Sequence, residues 1–598
     1  MCGIVGYIGY KRAEPILIKS LKRLEYRGYD SCGIAVASKG EIQLFKDIGR
    51  IVELEGKLPQ VEGMAGIGHT RWATHGAPST INAHPHLDCR KKIAVVHNGI
   101  IDNYASLKQQ LIDEGHSFLS ETDTEVIAHL VEKYHNGSLS QAVGKALNDI
   151  VGTYAIAVLD SAASELVIAR KESPVVIGLG DKENFIGSDI PALLDYTDRV
   201  IYIEDDDLVI ITPEDVKITH HNKPIDRKWQ VIPWKVDEAE KAGYDHFMIK
   251  EIHEQPQVIR QTLSTYISEA GIMADMDLPE DEEPDILYLA CGSSFYASLI
   301  HENIFDKLGH RNVKCQIASE FVHSSRIKEG TWVIGISQSG ETADTLEAIK
   351  QAKGQGGKAI AITNVIGSTI TRIADHTLYV RAGPEISVAA TKSFIAQVIV
   401  GYLLALSAAP LESYVNRYVK EKLVKELQLV SNTVKQILDK EDRIAEQAID
   451  LAKYEDIFII ARGVNYPAAL EGALKLKEIA YIHAEAFPAG ELKHGPFALL
   501  RDNTPVIAIA TPDETYQSLL TSIKEIRARS SPVIAIAEEG DKNIEQVANQ
   551  VIYTPKVESL LSPIINTVVL QLLAYYAAKE RGCSIDRPVN LAKSVTVH

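Results

Sequence analysis

The second half of this 598-residue chain is written twice, and that duplication constrains the fold more than any other feature. The apolar run Ile286–Ala290, with Cys291-Gly292-Ser293-Ser294 after it, overlies Ile457–Ala461, with Arg462-Gly463-Val464-Asn465 after it. Further along, Val333–Ile336 overlies Val506–Ile509, and Ala359–Thr363 overlies Val533–Ala537. Matches in one order at a near-constant offset mark an internal repeat. Short apolar runs alternating with helical segments predict a parallel-sheet α/β domain in each copy. Ligands are expected beyond the carboxyl ends of such strands.

The copies differ where a ligand would sit. In the first, a strand runs into Ser337-Gln338-Ser339-Gly340-Glu341-Thr342. Hydroxyls and free backbone N–H groups at a helix start make an anion seat, so Ser337, Gln338, Ser339 and Thr342 are predicted to hold a phosphate. The second copy has Thr511-Pro512-Asp513-Glu514, where proline lacks a donor and two carboxylates repel phosphate. One phosphate seat per chain is expected. The second copy instead carries Glu471, Lys475 and Glu478, which share one helix face at spacings of four and three. That pattern suits either a solvated ion-paired face or proton transfer. His494, in the glycine- and proline-bearing loop Gly490–Pro496, titrates near neutral pH.

The first third reads differently. Strands are predicted at Gly3–Ile8, Gly33–Ala37, Ile93–Val96, Tyr154–Leu159 and Leu166–Arg170, with helices at Ala13–Leu24, Tyr104–Glu114 and Thr124–Tyr134. Without regular alternation this is an α+β layered domain. Cys2 follows the initiator Met1. Once Met1 is trimmed, one residue carries a thiol and an α-amine of pKa about 7.7–8.0, a nucleophile with a built-in base. While Met1 remains, that amine is an amide and the thiol is expected to lack its base. Polar clusters interrupt the domain at Gly68–Gly76, Val96–Gly99 and Ser120–Glu125, and Asp123 or Thr122 is predicted to cap the following helix. Together with Cys2 these clusters supply what hydrolysis of a glutamine side-chain amide requires. The Asn98 amide and the Gly99 N–H can stabilise the oxyanion. Arg71 can grip an α-carboxylate in bidentate fashion, and Asp123 can pair with an α-ammonium.

A net charge of −18 argues against a nucleic-acid partner. The six cysteines form no CxxC pair, so a reduced protein without disulfides or a zinc site is expected, with no metal and no cofactor. No basic-then-apolar leader opens the sequence, and Val398–Ala409 and Ile564–Ala578 read as too short or too polar to span a bilayer. A cytoplasmic location and small substrates are expected. Residues 2–218 are assigned to the first domain, 219–275 to a linker, 276–415 and 448–588 to the repeated domains, 416–447 to a helical connector and 589–598 to a tail.

The motifs Cys2–Gly6, Tyr26–Ser31, His69–Gly76, His97–Gly99 and Ser120–Glu125 resemble those of class II glutamine amidotransferases, which implies an αββα fold of the N-terminal-nucleophile hydrolase type. The repeated copies resemble sugar isomerase (SIS) domains. Gly490–Pro496 and Leu591–Val597 extend the likeness to the isomerizing glutamine–fructose-6-phosphate aminotransferase family. That resemblance implies glutamine and fructose 6-phosphate as substrates, glucosamine 6-phosphate as product and a homodimer. It makes Lys593 the amine that forms a Schiff base with the sugar ketone, Glu478 the C1–C2 proton shuttle, Lys475 a further proton-transfer group and His494 an aid to ring opening. Ser294, the Val388 backbone and Ala592 would touch the sugar, Thr74 and His75 would join Arg71 and Asp123 in binding glutamine, and Trp72 would gate an internal ammonia path. Where the family often has serine, this chain has Ala390. Two alternatives remain open at this point: an amidotransferase with another phosphosugar acceptor, and a non-catalytic phosphosugar-binding regulator.

Overall fold

The computed structural model describes residues 2–72, 75–162, 164–232, 241–268, 271–272, 285–309, 312–324, 326–408 and 414–596. The chain divides into two compact units, Met1–Ala239 with Ala592–His598, and Glu240–Leu591.

Two antiparallel sheets, of eight and seven strands, face each other in the first unit. Period-two alternation builds the layers. In the strand Ile93–Ile101, Ala94 and Val96 point at Ile4, Ala35 and Ile67 of the other sheet. Ile93 and Val95 point the opposite way, onto Val126, Ile127 and Leu130 of the helix Glu125–Tyr134. The helix Ala13–Leu24 covers the outer face of the eight-stranded sheet and buries Leu17, Leu21 and Leu24. The result is the expected αββα sandwich. Cys2 immediately precedes the strand Gly3–Ile8, which pairs with Ala65–Arg71 in the register Gly3 to Thr70.

The second unit holds two five-stranded parallel sheets. One runs Val313–Ile317, Ile286–Ala290, Trp332–Ser337, Lys358–Thr363, His376–Tyr379. The other runs His483–Pro488, Asp456–Ala461, Val506–Ala510, Val533–Glu538, Gln550–Thr554. Both have the order 2-1-3-4-5, so the duplication extends from sequence to topology. The switch point of each lies between its first and third strands, which places the Ser293–Ser294 helix start and the Ser337–Thr342 loop side by side in the first copy.

The stretch 219–275, expected as a linker, carries elements of both units. Lys223–Ile225 and Gln230–Val231 extend the two sheets of the first unit. Phe247–Tyr266 is a 20-residue helix whose Met248, Ile252 and Ile259 lie in the core of the second unit. The expectation that Ile564–Ala578 is too short or too polar to span a bilayer is also corrected. The helical stretch Ser559–Glu580 is long and apolar enough by length and composition, with 89% of its apolar window buried inside the protein. Burial against Tyr466–Ala480 and neighbouring helices accounts for that composition.

Candidate active sites

In the first unit the thiol of Cys2 accepts the Trp72 N–H at 3.2 Å, and the Cys2 carbonyl accepts Asn98 Nδ2 at 3.0 Å and Arg27 Nε at 3.3 Å. Arg27 is itself anchored on Asp189 at 2.8 Å. His69 explains why Asn98 points this way. Its Nε2 lies 3.1 Å from both Asn98 Oδ1 and the His97 carbonyl, so the proton belongs on Nε2 and the Asn98 oxygen must face it. Burial drops the His69 pKa to about 3, which keeps the ring a neutral donor. Asn98 Nδ2 thus has one N–H committed to Cys2 and a second left for an oxyanion. Gly99 sits at φ +135°, and a Cβ there would come within 2.1 Å of the Thr153 carbonyl, so only glycine fits.

Burial pushes the Cys2 thiol up, against the Trp72 N–H and the Arg71 and Arg27 guanidinium groups, which pull it down. A thiol held in its neutral form needs a base, and the α-amine of a trimmed chain is one. Arg71 donates from Nη2 to the carbonyls of His75 and, at 2.9 Å, Gly76. Its Nη1 is buried without a hydrogen-bond partner among the described residues, a donor suited to a carboxylate. The His75 ring lies 5.3 Å from that of Tyr104, and the Trp72 ring meets Tyr29 edge-on at 5.8 Å. Thr74 lies outside the described residues.

The expected helix cap is corrected. Asp123 Oδ2 accepts the Ile101 N–H at 2.9 Å, and the Thr122 hydroxyl pairs with Ser120 and His86. The N-cap position falls to Thr124, which makes no side-chain cap bond. Thr124 instead bonds His97 Nδ1 at 2.9 Å, so the Asn98 turn and the Asp123 segment are fastened together. A buried strand end left an N–H for Asp123 to satisfy, while the first helical turn has its own anion in Glu125.

In the second unit the phosphate-loop candidate turns on Gly340, at φ +68°, where a Cβ would lie 2.1 Å from Ser368 Oγ. The buried Ser337 hydroxyl accepts the Gly340 N–H at 3.0 Å and meets the Thr342 hydroxyl at 2.9 Å, so it holds the loop together. Ser339 accepts the Glu341 N–H at 3.2 Å. Glu341, an apparent liability in an anion seat, spends both oxygens on Thr369, at 2.7 and 2.8 Å. Gln338 and Ser339 are half-buried at the loop's open side, and Ser294 lies half-buried in the first turn of the helix Gly292–Lys307. Val388 donates its N–H to the Asp586 carbonyl at 3.1 Å, in a segment anchored by Glu251 on the Ser387 and Ile386 N–H groups. In the second copy, Asp513 closes on Thr515 at 2.6 and 2.8 Å and Glu514 pairs with Lys307, so carboxylates occupy the equivalent turn.

The Glu471, Lys475 and Glu478 face is a buried cluster, with the side chains of Glu471 and Lys475 at 0% exposure and that of Glu478 at 20%. Lys475 Nζ binds Glu478, lies 3.3 Å from Glu471 Oε1 and donates to Ser293 Oγ at 3.3 Å. Ser293 donates in turn to Glu471 at 3.0 Å. The helix Tyr466–Ala480 of the second copy therefore delivers these charges to the helix start at the switch point of the first. Burial lifts the Glu471 carboxyl to about 7, although Lys475 pulls it down. Burial lowers Lys475, but the two carboxylates outweigh it and keep the ammonium charged.

His494 is exposed at the end of the short turn Glu491–His494. Ala592 and Lys593 are half-buried in the tail that groups with the first unit. Sequence reasoning missed three positioning groups: His69, Arg27 and Ser293. All three lie in motifs it had singled out, but only their partners across the fold reveal what they do.

The fold and sites define a glutamine amidotransferase unit joined to a pair of sugar isomerase domains. Family profiles agree: residues 69–195 match the glutamine amidotransferase domain, and residues 281–407 and 450–581 match the SIS domain. The chain belongs to the isomerizing glutamine–fructose-6-phosphate aminotransferase family. It is 48% identical to the protein of that name from Methanosarcina acetivorans and 47% to that from Caldanaerobacter subterraneus, with full coverage of both chains in each pairing. Among solved structures, the C-terminal domain of the Francisella tularensis glucosamine-fructose-6-phosphate aminotransferase covers 58% of this chain and 99% of its own, at 32% identity and a TM-score of 0.54.

Proposed function

We infer that this enzyme hydrolyses glutamine and transfers the released ammonia to fructose 6-phosphate, which it isomerises to glucosamine 6-phosphate. The observation that carries the sugar half is the grip of Glu471 and Lys475 on Ser293 at the switch point, beside the Ser337–Thr342 loop.

The α-amine of Cys2 takes the thiol proton, and Sγ attacks the glutamine side-chain carbonyl. Asn98 Nδ2 and the Gly99 N–H hold the resulting oxyanion while Arg71 and Asp123 bind the amino-acid end, and the family resemblance adds Thr74 and His75 to the glutamine-binding set. Ammonia leaves with the proton, and water then hydrolyses the thioester. Trp72 gates the path along which ammonia travels inside the protein. At the sugar, Gln338, Ser339 and Thr342 bind the phosphate within a loop that Ser337 braces, while Ser294, the Val388 backbone and Ala592 contact the carbon chain. His494 assists ring opening. Lys593 adds to the C2 ketone with loss of water, ammonia displaces the lysine, and Glu478 moves a proton from C1 to C2, leaving an aldehyde at C1. The support for Glu478 is its half-buried carboxylate held against the Lys475 ammonium. A homodimer in the cytoplasm completes the reading.

The test is a product assay with glutamine or ammonium as nitrogen donor. Glucosamine 6-phosphate should form from glutamine, with glutamate released alongside it. Glutaminase activity without any sugar amination would refute the reading.

A further inference from the structure

Away from both sites, Cys89, His116, His129 and Glu132 bring four ligand atoms within 4.8 Å of one another. They come from separate segments: the turn after the strand His86–Leu87, the stretch beyond the helix Tyr104–Asp113, and one face of the helix Glu125–Tyr134. Cys89 Sγ lies 3.7 Å from His116 Nδ1 and 3.5 Å from His129 Nδ1. Glu132 Oε2 lies 3.1 Å from His116 Nδ1 and 3.5 Å from His129 Nδ1. Ligands bound tetrahedrally at about 2.0–2.3 Å stand about 3.3–3.6 Å apart along each edge. The four thiol and carboxylate separations from the imidazoles, 3.1–3.7 Å, bracket that edge, and a small inward shift would bring the full set, now within 4.8 Å, onto a common ion.

The surroundings match as well. Both imidazoles aim Nδ1 at the common centre. His129 turns its Nε2 toward Glu125 Oε1 at 3.7 Å, and Glu125 is fixed by the Leu119 and Ser120 N–H groups at 2.9 and 2.6 Å. That separation is too long for a hydrogen bond, but a carboxylate on this side favours a proton on Nε2 and so leaves Nδ1 for a ligand. The Ser117 N–H points at Cys89 Sγ from 3.4 Å, as a thiolate favours. Arg90 approaches the other Glu132 oxygen, Oε1, at 3.6 Å, while Oε2 accepts the Cys89 N–H at 3.1 Å and is held facing the centre. The His129 side chain is 1% exposed and that of Glu132 10%. One thiolate and one carboxylate cancel the two charges of a zinc ion.

We propose that Cys89, His116, His129 and Glu132 bind a zinc ion. Binding expels the Cys89 thiol proton, and four protein ligands leave no open position, which makes the site structural. The ion ties two surface segments to the helix whose approach carries Asp123 and Thr124, and so braces the glutamine-binding side of the first unit. The sequence expectation of no zinc site rested on cysteine pairs, and this set contains a single cysteine.

The full-length chain is tested by metal analysis after dialysis, by cobalt substitution and by thermal melting with added zinc. The wild type should retain about one zinc per chain. With cobalt it should show a thiolate-to-metal charge-transfer band, and zinc should raise its melting temperature. Cys89→Ser, at an exposed position that leaves the core intact, should lose the band and the melting shift and bind zinc at least about tenfold more weakly. His129→Gln should also lose zinc. A wild type that gives no charge-transfer band, or that binds zinc no more tightly than Cys89→Ser, overturns the proposal.

Discussion

Truncating Asn98 to alanine separates catalysis from scaffolding in the amidotransferase unit. One of the two Asn98 N–H groups is committed to the Cys2 carbonyl at 3.0 Å, and the other is available to the oxyanion. Loss of one such donor costs about 10²–10³ in kcat, or about 2.7–4 kcal/mol of transition-state stabilisation. The structural loss is smaller, because each partner keeps a second contact. His69 retains the His97 carbonyl at 3.1 Å, and the Cys2 carbonyl retains Arg27 at 3.3 Å. Stability should therefore fall by about 1–2 kcal/mol. With the far end of glutamine assigned to Arg71 and Asp123 in the proposed reading, its KM should change little. The assay follows glutamate release from glutamine and, in parallel, sugar amination from ammonium. Asn98→Ala should lose glutaminase kcat by about a hundredfold or more and aminate the sugar normally with ammonium. A loss of less than about tenfold, or an equal loss with ammonium, would refute this account of the oxyanion site.

Lys593→Arg should abolish sugar amination from either nitrogen donor and leave glutamate release intact; unchanged amination would remove Lys593 from the chemistry. Gly340→Ala forces a side chain into a φ of +68° and within 2.1 Å of Ser368 Oγ, so it should destabilise the second unit by about 1–3 kcal/mol and raise KM for fructose 6-phosphate. Denaturant titrations and sugar saturation curves check both effects. Burial holds the Glu471 carboxyl near 7 against an ordinary 4.5, so the folded chain binds more protons than the unfolded one between those values. This group's contribution to stability should fall as pH rises through that window, and Glu471→Gln should flatten the slope there. Chains shown by mass to retain Met1 should release no glutamate from glutamine, and activity in them would exclude the α-amine as base.

What the sequence made legible follows from period and burial. Gly3–Ile8 and Ala13–Leu24 are legible with the boundaries observed, the first as a short apolar run ending at Gly9 and the second as an amphipathic repeat that buries Leu17, Leu21 and Leu24 and exposes its charges. The central strands of both parallel sheets were equally plain. Their outer strands, such as Val313–Ile317 and His376–Tyr379, were not: they are half-exposed, short and partly polar, and neighbouring strands rather than local pattern define them. The helix Phe247–Tyr266 hid in a stretch whose flanking charges suggested a connector, although its apolar face is core. The sites divide in the same way. Cys2, Asn98 and the Ser337–Thr342 loop stand out as local motifs. Glu471 is ambiguous until burial decides between a solvated face and a charged cluster. The convergence of Cys89, His116, His129 and Glu132 has no local signature, since each ligand has unremarkable sequence neighbours.

The central claim, that nitrogen freed at Cys2 is the nitrogen placed on the sugar, is tested most directly with glutamine isotopically labelled at its amide nitrogen. The reaction is run with fructose 6-phosphate and excess unlabelled ammonium, and the glucosamine 6-phosphate is analysed by mass. The account predicts product that carries the label despite the unlabelled pool, because ammonia passes between the sites inside the protein. Product labelled only in proportion to the mixed pool, or no aminated sugar at all, would contradict it.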